Sequence, residues 1–200
     1  MIEAICQLLR RNQSGPRLLA CAPSNSASDL LAERLQQHGI THSEMFRLNA
    51  PSRQVNSLAE SLKQCSRIEQ GQFVVPKLQE LVNFRIIITT CISAFVLYSL
   101  GMKAGHFTHI FIDEAGQALE PEVMVPIRTL AGKKTNIVLS GDPKQLAPIV
   151  CSNVAAELGC RISYLDRLMR RDVYQLDLWA GRTYVIMAEQ NQATDEFDTH

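Results

Sequence analysis

The sequence lacks the features of an extracellular, membrane-spanning or broadly basic protein. Its 20 basic and 20 acidic residues leave no net charge, so any affinity for nucleic acid must come from a local surface. No stretch approaches the roughly 20 apolar residues that a membrane helix needs, and residues 1–11 lack the pattern of a secretory signal. The six cysteines form no C-x-x-C pair, which favours reduced thiols over disulfides or a zinc site. We therefore expect a soluble intracellular protein without membrane association.

A phosphate-binding loop is also absent from the sequence. No G-x-x-x-x-G-K-[ST] pattern occurs, although its main-chain amides and lysine are what cradle nucleotide phosphates in many hydrolases. The stretch Gly132-Lys133-Lys134-Thr135 has a similar ending but lacks the upstream glycine at the required spacing. It is predicted to lie in a turn between a helix and a strand, so we expect it not to bind phosphate.

What the sequence does contain indicates one α/β domain. Its 200 residues are 46% hydrophobic, which is enough for one core and too little for two ordinary domains. Four apolar runs predict strands at residues 17–21, 84–90, 109–112 and 136–140. Helical periodicity predicts helices near residues 2–10, 26–38, 93–100 and 121–130, and a mainly helical segment at 40–84. Continuous apolar strands separated by helices predict a parallel sheet flanked by helices on both faces.

Two carboxylates directly follow the predicted strand at 109–112. Asp113 can hold Mg²⁺ through its water shell, because this ion keeps several waters and takes only one or two protein carboxylates. Glu114 could orient and deprotonate a water that attacks a terminal phosphate. An exposed turn or a helix N-cap is the alternative for such a pair. Gln145, in Gly141-Asp142-Pro143-Lys144-Gln145, leaves another predicted strand and could donate to the same phosphate, which favours the functional interpretation.

Three motifs carry a resemblance to a known family. Cys21-Ala22-Pro23-Ser24-Asn25-Ser26-Ala27, Asp113-Glu114-Ala115-Gly116-Gln117 and Leu139-Ser140-Gly141-Asp142-Pro143-Lys144-Gln145-Leu146-Ala147-Pro148 resemble motifs Ia, II and III of superfamily 1 helicases. The flanking sequences at 89–91, 106–109, 117–122 and 166–169 are similar to those of the Moloney leukaemia virus ten and Armitage-like RNA helicases. The resemblance covers about residues 1–177, and residues 178–200 diverge from it.

This resemblance implies a RecA-like P-loop NTPase core that lacks its phosphate loop, within an ATP-dependent RNA helicase moving 5′ to 3′. Residues 1–177 would be part of the first RecA-like domain, with 40–84 as an insertion. The expected cofactors are ATP and Mg²⁺, and the expected partners are single-stranded RNA and RNA-silencing proteins, in cytoplasmic ribonucleoprotein granules. The implied catalytic, nucleotide-binding and metal-binding residues are Asp113 (also the Mg²⁺ ligand), Glu114, Gln117, Asp142 and Gln145. The implied RNA-binding residues are Pro23, Ser24, Asn25, Thr89 and Thr90.

The sequence departs from the family at both ends. Met1 falls inside the helix that should follow the phosphate loop, and no second RecA-like domain is present, so we expect a truncated or alternatively spliced product with a disordered tail at 178–200. The isolated chain is then expected to be inactive.

A non-catalytic RNA-binding or protein-interaction fragment, competing with a full-length relative, is the alternative. A DNA helicase of the same superfamily is a third hypothesis. Ser24-Asn25 could also be a simple helix N-cap, a role that can coexist with RNA binding.

Overall fold

A computed structural model describes residues 1–11, 15–142, 147–171 and 174 of the protein. The strands in these ranges are β1 (Leu18–Ala22), β2 (Met45–Arg47), β3 (Ile68–Glu69), β4 (Gln72–Phe73), β5 (Ile86–Thr90), β6 (His109–Ile112) and β7 (Asn136–Leu139). The α-helices are α1 (Ile2–Arg11), α2 (Asn25–Gln37), α3 (Glu60–Lys63), α4 (Leu78–Leu81), α5 (Phe95–Ser99), α6 (Glu120–Leu130), α7 (Asn153–Ala155) and α8 (Tyr164–Met169). A 3-10 turn spans Val55–Ser57 and a π-type turn spans Ala156–Cys160.

The main sheet has five parallel strands in the order β2-β5-β1-β6-β7. Its register pairs Cys21 of β1 with Thr89 of β5 on one side and with Ile112 of β6 on the other. Ile112 in turn pairs with Leu139 of β7. The predicted α/β class, with a parallel sheet flanked by helices, is therefore confirmed, and all four predicted strands belong to this sheet.

Alternation along the central strand explains why both faces of the sheet are covered. Leu18 and Ala20 of β1 point to the face where α1 and α2 pack, while Leu19 and Cys21 point to the face covered by α5 and α6. All five residues of β1 are fully buried. A strand buried on both faces must be apolar at every position, which is why its sequence shows no alternation.

Helix α2 shows how local sequence fixes an element beside β1. Ser24 is its N-cap, with an extended backbone (φ −122°) and a hydroxyl that accepts from the Ala27 amide at 3.1 Å. The helix buries Leu31 and Leu35 against the sheet, whereas Leu30 is 46% exposed. It ends before Gly39, whose φ of +89° is a left-handed conformation that glycine adopts without steric cost.

The prediction of a mainly helical segment at residues 40–84 is wrong. The segment supplies β2 as the edge strand of the main sheet and the antiparallel hairpin β3-β4, while its helices have only four residues each. A three-residue strand that contains Arg47 produces too short an apolar run to signal itself. The proposed boundary at residue 177 and the tail at 178–200 lie outside the described residues. No helix in the described part of the chain is long and apolar enough to cross a membrane.

The packing of α2 predicts a large difference between two of its leucines. Leu35→Ala should lower the free energy of unfolding by about 2–5 kcal/mol, because this side chain is fully buried and its loss leaves a cavity. Leu30→Ala on the same helix should change it by about 0.5 kcal/mol or less, since Leu30 is largely exposed. Urea denaturation of both variants measures the difference, and equal losses would contradict the orientation of α2.

Candidate functional site

The turn after β6 holds the two predicted acidic residues at the carboxyl edge of the sheet. The Asp113 amide donates to the Cys21 carbonyl at 2.8 Å, which continues the ladder between β1 and β6 beyond the strand. Glu114 then adopts a left-handed backbone with φ of +52°, unusual for a residue with a side chain. The Gln117 amide donates to the Glu114 carbonyl at 2.9 Å and closes the turn. Backbone strain of this kind is concentrated at functional sites in proteins.

The end of β7 is joined to this turn by main-chain and side-chain hydrogen bonds. The Ser140 amide donates to the Ile112 carbonyl at 2.9 Å, and the Ala115 amide donates to the Ser140 carbonyl at 2.8 Å. The Ser140 hydroxyl also donates to Oδ1 of Asp113 at 2.5 Å. These three bonds form what we call the Ser140 joint. It places the Asp113-Glu114 pair beside the start of the segment that carries Asp142.

Gly141 allows the Ser140 joint to be this tight. A Cβ atom at this position would lie 2.8 Å from the Gly116 nitrogen and 2.9 Å from the Ala115 nitrogen. Both distances are shorter than real Cβ contacts, so a larger residue would push the two turns apart. Gln145, predicted to reach the same site, lies outside the described residues, and its convergence with Asp113 stays a prediction.

Glu114 lies in an environment that favours its protonated form. Burial raises the pKa of the Glu114 carboxyl, Asp113 and Asp142 raise it further, and Arg34 acts in the opposite direction. The Gln117 side-chain amide donates to Oε2 of Glu114 at 3.0 Å and fixes its orientation. A half-buried carboxylate that takes up a proton more readily than usual can act as a general base.

The chemistry of these oxygen ligands suits Mg²⁺. Within the described ranges, no group of three or more His, Cys, Asp or Glu side chains is placed to hold a metal ion by itself. Magnesium does not require such a group, because it is usually held by one or two carboxylates together with waters and substrate phosphates. Asp113, a half-buried carboxylate whose Oδ1 is fixed by Ser140, fits that description.

The loop after β1 lies at the same edge, one strand away. Pro23 is half-buried, while Ser24 and Asn25 are exposed. The N-cap interpretation of Ser24 is confirmed by its bond from the Ala27 amide. The buried Ser28 hydroxyl donates to the carbonyls of Ser24 and Thr89, at 2.9 and 3.0 Å. It therefore ties this loop to the end of β5.

The two threonines at the end of β5, Thr89 and Thr90, differ in how far their side chains are exposed. Thr89 is fully buried, and its hydroxyl donates to the Leu48 carbonyl at 3.1 Å. Thr90 is half-buried, and its hydroxyl accepts from the Ser93 amide at 3.2 Å. Of these two side chains, only that of Thr90 reaches the surface. The RNA-binding assignment of both residues stays a prediction.

The glycine and lysine stretch at 132–135 lies elsewhere. It forms a turn before β7, at the amino edge of the sheet, opposite to Asp113. The Thr135 hydroxyl accepts from the Gly132 amide and donates to the Phe107 carbonyl, at 3.0 and 2.8 Å. It is a turn between a helix and a strand, as the sequence predicts.

Three residues with roles in this region were not singled out from the sequence. Ser140 and Gly141 belong to a quoted motif, but their roles depend on the register of two strands. Arg47 is fully buried beneath the loop after β1. In the sequence, the feature that could have identified Arg47 is a charged residue between apolar neighbours, namely Met45, Phe46 and Leu48.

Comparison with known proteins places these features in a family context. The family model described as "AAA domain" matches residues 53–153. RNA helicase Mov10l1 of Homo sapiens is 42% identical over 178 residues, which are 88% of this chain and 14% of that protein. Putative helicase mov-10-B.1 of Danio rerio is 40% identical, over 96% of this chain and 19% of that protein. Probable RNA helicase armi of Drosophila melanogaster is 39% identical, over 89% and 16%.

The chain thus spans less than one fifth of the length of each of these relatives, between 14% and 19%. Among solved structures, T4 UvsW aligns with 72% of this chain and 24% of its own, with 11% identity and a TM-score of 0.44.

The pKa of Glu114 is raised and that of Glu44 is lowered, so these two carboxyl groups should affect stability in opposite ways as pH changes. The raised pKa of Glu114 means that its contribution to stability is present below the unfolded-state value, about 4.3, and is lost as pH rises through the folded value. Glu114→Gln should therefore stabilise the protein at pH 7 and have little effect near pH 4. Urea denaturation across this range measures both.

Glu44 provides the matched comparison. Burial raises the pKa of Glu44, but hydrogen bonds from Thr41 and Arg85 outweigh this effect and lower it overall. Its contribution is present above the unfolded value and is lost as pH falls through the folded value. Glu44→Gln should destabilise at pH 7, and less so in acid. Effects of the same sign for both variants would contradict these environments.

The close approach at Gly141 predicts a local opening in Gly141→Ala. The added methyl group should separate the two turns and lower stability by about 1–3 kcal/mol. Hydrogen exchange at the amides of Ala115 and Ser140 should accelerate, because both belong to the Ser140 joint. Gly39→Ala is the control, since its φ is also positive but a Cβ there meets nothing within 4 Å. Unchanged exchange in Gly141→Ala would show that the joint does not depend on this glycine.

Proposed function

Since this chain belongs to the AAA domain family and is related to Mov10-type RNA helicases, we propose that it forms one side of a helicase site for Mg-ATP and single-stranded RNA. The observation that carries the proposal is the Ser140 joint. It holds Asp113 and Glu114 at the same sheet edge as the exposed loop at Ser24 and Asn25. In parallel sheets, ligands bind outside this carboxyl edge.

Glu114 is the proposed general base. Its raised pKa increases the driving force for accepting a proton from water, and Gln117 holds the carboxylate in one orientation. Because Gln117 contacts Glu114 directly, a ligand that binds beside Glu114 would also lie close to Gln117. In this proposal, Gln117, Asp142 and Gln145 contact the nucleotide.

Asp113 is the proposed magnesium-binding residue. When bound, Mg²⁺ would neutralise charge on the phosphate oxygens. The contribution of the protein is the fixed direction of the Asp113 carboxylate, which the Ser140 hydroxyl maintains. Loss of this hydroxyl would leave the carboxylate free to rotate.

The RNA would follow the loop after β1 and the end of β5. Ser24, Asn25 and Thr90 present hydroxyl and amide groups at the surface, and Pro23 shapes the loop between them. Such groups grip phosphate and sugar without reading sequence. Thr89 is buried beneath this surface and would support it through its hydrogen bonds with Ser28 and Leu48.

The alternative function is RNA binding without hydrolysis. It is favoured by one property of this sequence, the lack of a G-x-x-x-x-G-K-[ST] loop. Without that loop the main contacts to the β- and γ-phosphates are missing. We therefore expect the 200-residue chain to bind single-stranded RNA weakly and to release no phosphate from ATP.

A pair of N-cap serines tests the RNA surface. Ser24→Ala should weaken binding to single-stranded RNA by about 3–10-fold, because one surface hydroxyl group is lost. Ser152→Ala is the control, since Ser152 also caps a helix, with its hydroxyl accepting from the Ala155 amide at 3.2 Å. Each variant should lose about 1 kcal/mol of stability. Fluorescence anisotropy with labelled RNA measures affinity, and equal losses in both variants would contradict the proposed surface.

A phosphate-release assay with Mg-ATP and RNA separates the two functions. The expected result is release at the level of buffer alone. Release that depends on RNA and is abolished in Glu114→Gln would show that the chain is a complete enzyme, and would contradict its assignment to one side of the site.

A further inference from the structure

A buried arginine lies directly beneath the proposed RNA loop. Arg47 is the last residue of β2, and its side chain has no exposed surface. A buried guanidinium is tolerated only when its donors are matched by acceptors, since desolvation of an unpaired charge is very unfavourable. The partners of Arg47 therefore show what it holds in place.

These partners connect Arg47 to the start of α2. Its Nε donates to Oδ1 of Asp29 at 2.9 Å, and its Nη1 donates to the Leu48 carbonyl at 2.7 Å. Its Nη2 donates to Oδ1 of Asn25 at 3.1 Å and to the Asn25 carbonyl at 3.4 Å. Arg47 thus contacts both the main chain and the side chain of one proposed RNA-binding residue.

Arg53 holds the other side of Asp29. Its Nη2 donates to Oδ2 of Asp29 at 2.6 Å and its Nη1 to Oδ1 at 3.0 Å. Asp29 therefore bridges two arginines, and neither Asp29 nor Arg47 can turn without breaking several bonds. Asn25 is the exposed end of this network.

The chemistry of the guanidinium decides which way the Asn25 amide faces. Arginine carries five N–H donors and no acceptor, so the Asn25 atom that contacts it must be the amide oxygen. The amide nitrogen of Asn25 then faces away from Arg47. A phosphate oxygen accepts hydrogen bonds and donates none, so an RNA backbone requires a donor at this position.

We propose that Arg47 is a positioning residue for RNA binding, which fixes the Asn25 side chain with its NH₂ group toward the RNA backbone. This inference rests on the proposed function, because it assumes that RNA follows the loop at Ser24 and Asn25. Arg47 itself does not reach the RNA, since its side chain is fully buried. The donor character of the loop is thus set by a residue 22 positions along the chain.

Asn25→Asp tests the proposal without breaking the network. The new carboxylate can still accept from Arg47, and an acidic residue in the first turn of a helix is favourable. The thermal midpoint should therefore be unchanged or higher. RNA affinity should nevertheless fall by at least about tenfold, because the donor is replaced by a negative charge. A purely structural role would move stability and affinity together.

Asn83→Asp is the matched control for charge. Asn83 is exposed near the start of β5, at the amino edge of the sheet, and its side chain donates to the Gln79 carbonyl. The same change of charge there should leave RNA affinity within about twofold, since salt screens the distant charge.

A double-mutant cycle tests the link to Arg47. Arg47→Lys keeps the charge but cannot reproduce the forked contacts to Asp29 and Asn25. It should weaken RNA binding several-fold in the wild-type chain and have no further effect in an Asn25→Ala background. Equal effects in the two backgrounds would overturn the proposal.

The outcomes for the two proposals are distinguishable. If the wild-type chain binds no single-stranded RNA, the proposed function fails and this inference fails with it. If the wild type binds RNA and Asn25→Asp binds it as well as Asn83→Asp does, only the positioning role of Arg47 is overturned. Weaker binding by Asn25→Asp alone, with its thermal midpoint kept, supports the role.

Discussion

The bonds between the Ser140 segment and the turn after β6 are the constraint on which the site depends. Two neighbouring parallel strands end at the same level, and the main chain of Ser140 then bonds to Ile112 and Ala115. Because Gly141 has no side chain, the two turns can touch. The main-chain bonds hold the backbone of the turn, and the Ser140 hydroxyl holds the Asp113 carboxylate. The backbone of the acidic pair and the Asp113 carboxylate are therefore held by hydrogen bonds within the protein.

A second network holds the neighbouring loop in the same way. Arg47, Asp29 and Arg53 are largely removed from solvent, so their charges are matched within the protein. Buried ionic groups of this kind are weak evidence for net stability, but their hydrogen bonds connect Arg47 to Asp29 and Asn25 in one arrangement. Here these hydrogen bonds hold the exposed start of α2. The carboxyl edge thus combines a hydrogen-bonded acidic turn with the hydrogen-bonded loop at Ser24 and Asn25, one strand apart.

The sequence predicts much of the fold but less of the site. The apolar runs of β1, β5, β6 and β7 predict these strands, and carboxylates directly after a strand are a local signal that points to Asp113 and Glu114. Strand β2 cannot be predicted in this way, because its three residues make no periodic pattern. The role of Ser140 depends on strand register, and that of Arg47 on partners 18 and 22 residues away. Neither kind of information is present in a local motif.

The proposed function requires that the Asp113-Glu114 turn and the loop at Ser24 and Asn25 act at one edge of the sheet. Titration of the ¹⁵N-labelled protein with single-stranded RNA, followed by Mg-nucleotide, tests it most directly. RNA should shift the amide signals of residues 24–28 and 90–93, and Mg-nucleotide those of 113–117 and 140–142. Signals of the amino edge, at 105–109 and 132–136, should remain unchanged. Shifts confined to the amino edge, or an absence of shifts at both turns, would contradict the account.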